Sequence, residues 1–440
     1  MLDLTQVWEL KENLTNFVYD DEGEIATALE SYAAQKGKKN SYGIKQQNLT
    51  IDLFLTQGEV ATKTPLDLFI QQAKLTSEER EIVELWQHNF IGLFEIQSIE
   101  ADTYRLMNWL TAKTYTVRGD RAMSDKETSR WQPGEIILCI LAPLNSAQTE
   151  WFFFSDRIIK GRLSQPKLAV AIGEFRDNYP ESLYADAPDL LAEAWTSVTV
   201  YHQEFVDYLG SDRLTLPGYK LNQKINELQQ IVSKKKLAAA GIDDTKSLEE
   251  LLSESGKTEA EFAEAAEDLG MDAEGIAKVM QNKGKAMVTP KVELPPAIKQ
   301  AESVTVYSEP KWGQMFLPNH ERLIALLTAD NPGTVENADL LVKKYLEAPE
   351  ANYYVWQQLK QSHAPALEQL LQNYLAQPEF NLAADLDSLL LKYDKPSTPE
   401  LPAIASVPIH LNNLFESALA QVQKTKSKTK KKKKKGFSNL

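Results

Sequence analysis

The sequence has one cysteine in 440 residues. An internal disulfide needs two thiols, and a thiolate zinc site needs paired cysteine motifs, so both are excluded. Cys139 itself stands in the apolar run ILCIL, which predicts a buried, inert thiol. Catalytic signatures are missing as well. No GxSxG, GxxxxGK[ST] or GxGxxG occurs, and the Gly256-Lys257-Thr258 triplet lacks the glycine five residues upstream, where Leu251 stands. The five histidines, His88, His202, His320, His363 and His410, are scattered without metal-ligand spacing, and Glu84 with His88 makes an ordinary helix-face pair. A calcium loop at Asp268 to Val279 fails, because Ala273 occupies the turn glycine position and Val279 the bidentate glutamate position.

Long hydrophobic runs are also absent. The longest, Ile136 to Leu144, suits a strand and is too short for a membrane span. The first residues, MLDLTQVWELKENL, carry neither the basic nor the apolar region of a secretory signal. These absences lead to the expectation of a cytoplasmic, non-enzymatic protein without metal or cofactor. At 43% hydrophobic and 9% aromatic residues, the chain is long enough for two or three cores.

What is present is an asymmetry of charge. The chain is acidic, with a formal net charge of −14, yet nine lysines crowd its end: Lys424, Lys426, Lys428, Lys430, Lys431, Lys432, Lys433, Lys434 and Lys435. Such a run cannot bury itself, repels itself, and can neutralise a row of phosphates. Residues 424–440 therefore read as a disordered cationic arm that holds a polyanion: RNA, the ribosome or DNA, with an anionic membrane surface left open. Directly before it, residues 409–423 read as one amphipathic helix, LNNLFESALAQV, whose Leu411, Leu414, Phe415 and Leu419 form a docking face for a protein partner. In that reading the chain is a tethered adaptor. The alternative is an assembly or chaperone-like adaptor whose arm grips an acidic protein surface.

The pattern along the chain predicts an α+β fold, a small antiparallel sheet or barrel among helices followed by mainly helical regions. Thr64-Pro65-Leu66-Asp67 and Thr76-Ser77-Glu78-Glu79 are helix starts. From Phe90 the period changes to short aromatic and β-branched runs: FIGLFEIQSI, YRLMNW, KTYTV, WQPGEIILCILAPL and TEWFFFSD. Helices return near Lys167 and Ala187, giving an α+β domain over residues 1–235. The order of a tryptophan-ended helix and these β runs, over about residues 65–163, resembles an accessory β region of bacterial proteins that contain the SEC-C motif. The resemblance implies a β module, and since the zinc motif is absent, it implies neither a metal nor an activity.

Within Trp151-Phe152-Phe153-Phe154 the side chains alternate between the two sides of a strand. Stacking platforms for bases and a strand buried on both sides are the two readings, and burial is the commoner use of such residues.

Residues 237–287 are acidic and alanine-rich. Glu261 to Gln281 resembles a repressor-type helix-turn-helix, with Gly270 at the turn, but its second helix presents Asp272 and Glu274 where a base reader needs Arg, Asn or Gln. A small structural or protein-binding helical unit fits that chemistry better. Residues 288–311 read as a proline-containing linker, 312–393 as a helical bundle, and 394–408 as a second linker.

Overall fold

The computed structural model describes residues 2–37, 44–119, 131–239, 287–290, 293–329 and 337–436. The chain is α+β and opens with α1 (Leu4–Tyr19), α2 (Glu24–Gly37), α3 (Ile44–Gln57), α4 (Pro65–Gln72) and α5 (Ser77–Leu85). Strands follow as β1 (Phe90–Glu100), β2 (Thr103–Asn108), β3 (Thr114–Arg118), β4 (Ile136–Pro143), β5 (Trp151–Phe153) and β6 (Ile158–Gly161). Next come α6 (Gln165–Asn178), α7 (Pro188–Leu209), β7 (Arg213–Leu216), α8 (Gly218–Ala239), β8 (Met287–Val288) and α9 (Pro296–Lys299). The remainder is β9 (Val304–Glu309), β10 (Gly313–Leu317), α10 (His320–Leu327), α11 (Ala338–Glu347), α12 (Tyr353–Leu375), α13 (Leu382–Lys392), β11 (Val407–Pro408) and α14 (Ile409–Gly436). Two compact units result: Met1–Leu191 with Pro408–Leu440, and Ala192–Val407.

The first unit is built on a closed barrel. β1, β2 and β3 form an antiparallel meander, β3 then pairs in parallel with β5, β5 pairs antiparallel with β4, and β4 pairs antiparallel with β1 to complete the ring. β6 lies along the first half of β4. This order, with its parallel β3–β5 contact, is that of the five-stranded Greek-key barrel called the OB-fold. Period-2 alternation dictates the filling. Phe90, Phe94, Ile96, Tyr104, Leu106, Tyr115, Val117, Ile137, Cys139, Leu141, Trp151 and Phe153 make one buried cluster with Trp131. Gly92, on the same side of β1, leaves room for the Phe94 ring: a Cβ there would stand 2.6 Å from it.

The opposite side of the β1–β4–β5 wall lies under helices. Ile91, Leu93, Ile140 and Phe152 are buried. Trp86, which follows α5, meets Phe152 and Phe154 at ring separations of 5.9 and 5.5 Å, and Trp8 of α1 meets Phe152 at 5.7 Å. All four aromatics of Trp151 to Phe154 are thus engaged in packing. α4 and α5 start at Thr64 and Thr76 in reciprocal capping boxes, in which each threonine accepts from a backbone N–H three residues on. Asp52 of α3, buried, is held by the Lys11 ammonium at 2.6 Å.

The second unit has a three-stranded sheet in the order β10-β9-β7. Helices α10, α11, α12 and α13 share a core built on Trp356, Leu359, Leu371, Leu386 and Leu390. NYYVWQQLK and PALEQLLQNYLA are one helix, α12, kinked at His363 (φ −141°) two residues before Pro365, whose ring removes a backbone donor.

Several expected boundaries move. The domain expected over 1–235 divides after Leu191, and the C-terminal helix joins its first part. The linker expected over 288–311 contains β9, because VTVYS alternates and pairs with β10, and Val304 and Val306 are fully buried. The linker expected over 394–408 is packed, with Lys395, Leu401, Ile404 and Ala405 buried, and the 312–393 region opens with a strand. The helix expected to end at 423 continues to Gly436, into the segment read as disordered, since lysine is a good helix former and one side of the helix start is anchored. The acidic segment 237–287, including the helix-turn-helix resemblance at 261–281, lies almost wholly outside the described residues.

Candidate polyanion interface

The lysines belong to α14, so the question is what holds α14. Its buried residues Leu411, Leu414 and Ala418 follow helical spacing, and the helix packs on α6. The Gln421 amide donates to Gln165 at 2.5 Å along the same seam. Two of the four residues assigned to a partner-docking face, Leu411 and Leu414, are buried within the chain itself, which is a correction to that reading. Phe415 is half-buried, and Leu419 is 62% exposed, with Val422 beside it at 38%. The side chains of Lys424 to Lys435 lie outside the described residues. A helix of this length spans roughly 42 Å at 1.5 Å per residue.

The first turn of α14 is fixed to the barrel. His410 Nε2 donates to the Trp109 carbonyl at 2.8 Å, and since a carbonyl only accepts, the proton sits on Nε2. Burial pushes the His410 pKa down, and the hydrogen bond to Trp109 opposes it. Trp109 opens the turn between β2 and β3. That hairpin is locked from below by Asp186, whose Oδ2 accepts from Tyr115 Oη at 2.6 Å, Thr111 Oγ1 at 2.8 Å and Asn108 Nδ2 at 3.0 Å. Lys113 Nζ adds a bond to the Asp186 carbonyl at 2.6 Å. Burial, with the Asp186 carboxylate beside it, pushes the Tyr115 hydroxyl up, so it remains a donor.

Alternation then sets the outward side of the hairpin. Tyr104, Leu106, Tyr115 and Val117 point in, so Thr103, Arg105, Met107 and Trp109 of the first strand and turn share the other side with Thr114, Thr116 and Arg118. Arg105 stands opposite Thr116 and Thr103 opposite Arg118. Arg105, Thr114, Thr116 and Arg118 are exposed, while Met107 and Trp109 are half-buried. Arg118 reaches Glu150 at 3.5 Å and donates to Thr103 Oγ1 at 3.1 Å. Trp109 Nε1 donates to Glu95 at 3.0 Å. This surface is not among the expected sites, although the alternation T-R-M-W against T-T-R carries it.

Other polar clusters are structural. In the second unit, His320 is sealed between Tyr307 Oη, 3.0 Å from Nε2, and Tyr345 Oη, 2.6 Å from Nδ1. Burial, aided by Arg213 and His363, pushes His320 down to about 4, so the neutral ring accepts from one tyrosine and donates to the other. Lys395 donates to the Ala348 carbonyl at 2.5 Å, and burial lowers its pKa to about 8. Cys139 is buried in the barrel, which pushes its thiol up. Among the described residues no group of three His, Cys, Asp or Glu could hold a metal ion, and no helix is long and apolar enough to cross a membrane. A groove of about 410 Å³ between α10 and α11 is lined by Asn319, Arg322, Leu326, Asn337, Leu340 and Lys344.

No family model matches the chain, and no curated protein and no solved structure matches it.

Proposed function

We propose that the protein is a polyanion tether, with α14 as the gripping element and RNA, free or in the ribosome, as the polyanion. The observation that carries this reading is the seating of α14: Leu411, Leu414 and Ala418 are buried and the helix packs on α6, so the lysines from 424 onward follow an anchored helix start. A charge run attached in this way adds salt-sensitive affinity without choosing a sequence, since each lysine that meets a phosphate releases counterions. The role asks for binding, and no bond-making step is assigned to it.

A second reading has its own observation. Leu419 and Val422 are exposed directly before the lysines, which suits an acidic protein surface with an apolar border. Co-purification with and without nuclease separates the two. Under the first reading associated material is lost on nuclease treatment and at high salt. Associated protein that survives both treatments unchanged contradicts it and favours the second.

A further inference from the structure

The groove between α10 and α11 lies in the second unit and does not depend on the lysines of α14. We propose that it receives an acidic peptide segment of a partner protein, with aliphatic side chains between its walls and carboxylates on Arg322 and Lys344.

Helical spacing builds the groove. Asn319, Arg322 and Leu326 recur at intervals of three and four along α10 and its cap, and Asn337, Leu340 and Lys344 do so along α11, so each helix contributes one wall about two turns long. Behind the walls Leu323, Leu327, Val342 and Leu346 are buried in the core of the unit. The Tyr345 hydroxyl of α11 meets His320 Nδ1 of α10 at 2.6 Å, so the walls are tied together before any ligand arrives. At about 410 Å³ the cleft is in the ordinary range of binding sites, roughly 300–1,000 Å³.

The lining selects the sign of the ligand. Arg322 and Lys344 are exposed and enter no ion pair among the described residues, and among those residues no carboxylate lines the cleft. The neighbouring acids are engaged elsewhere: Glu321 accepts from Ser303 Oγ at 2.8 Å, and Glu347 pairs with Lys343 at 3.8 Å. The apolar part of the lining then separates a peptide from a bare polyanion. Leu340 is 50% exposed, and a sugar-phosphate chain would satisfy the two cations while leaving that side chain wet. A peptide that sets leucine-like side chains among carboxylates uses both features. Asn319 and Asn337 make no side-chain cap bond, so their amides remain for the peptide backbone.

The test uses the full chain with its nine tail lysines changed to glutamine, which removes their own attraction for acidic peptides. The probes are three labelled peptides: EELEELEE, its basic counterpart KKLKKLKK and its leucine-free counterpart EEGEEGEE. EELEELEE is expected to bind at least about tenfold more tightly than either of the others. Its affinity should fall about fivefold in R322Q/K344Q, which loses two exposed ion pairs, and about fivefold in Leu340→Ser, which loses half of a leucine's burial. All three side chains are exposed, and unfolding midpoints check that the variants fold. Equal binding of the three peptides, or no binding of EELEELEE at ~1 mM, overturns the proposal. A loss in R322Q/K344Q with none in Leu340→Ser, together with displacement of the peptide by single-stranded RNA, identifies a bare anion site and overturns it too. Neither result bears on the tether, whose lysines this chain does not carry.

Discussion

His410 donates its Nε2 proton to the backbone carbonyl of Trp109 across 301 residues of sequence. One hydrogen bond thereby joins the start of the lysine-bearing helix to the β2–β3 turn of the barrel. A carbonyl deprived of its donor costs about 1–3 kcal/mol when fully buried, and the part-buried His410–Trp109 bond belongs at the lower end of that range. We therefore expect His410→Ala to lower stability by about that amount and to raise amide exchange over residues 409–422 above the barrel strands. Exchange that rises equally everywhere would show that the bond does not hold α14 in particular.

Asp186 gathers three side-chain donors on one oxygen, and Asn108 and Thr111 among them are buried. Asp186→Ala strands all three and should cost on the order of 3 kcal/mol, whereas Asp186→Asn keeps an acceptor and should cost less than half of that. Denaturant midpoints of the two variants check the order. Equal losses would mean that the carboxylate charge, not its acceptor capacity, holds the hairpin.

His320 predicts a pH dependence. Its pKa falls from the ordinary 6.5 to about 4 in the folded chain, so between those values the unfolded chain binds more protons. Stability contributed by the neutral ring is then lost as pH falls through this window, by at most roughly 1.4 kcal/mol per pH unit. Urea midpoints measured between about pH 7 and about pH 5 should drop more in the native chain than in His320→Gln, which cannot take up the proton. Parallel slopes in the two would contradict the assignment.

The strands and the burial of Trp151 to Phe154 were legible because aromatic alternation has one economical solution. Cys139 was legible for the same reason, as the middle of an apolar run. Closure of the barrel was not, since the parallel β3–β5 pairing rests on Val117 and Arg118 meeting Trp151 and Phe152, a pairing that no local pattern announces. The stripe Leu411, Leu414, Phe415, Leu419 was visible as an apolar helix side, but a sequence does not say whether such a side meets a partner or its own chain, and Leu411 and Leu414 are buried within the chain. Likewise Val304 to Glu309 was masked by neighbouring prolines, although its alternation is plain once β10 is beside it.

The central claim is that the nine lysines of α14 provide the grip on a polyanion. Its most direct measurement is the affinity of the full chain for a labelled single-stranded RNA at physiological salt, beside a chain in which all nine are glutamine. The account predicts a loss of at least about a hundredfold, together with a much shallower salt slope. Equal affinity and equal salt slope in the two chains would contradict it.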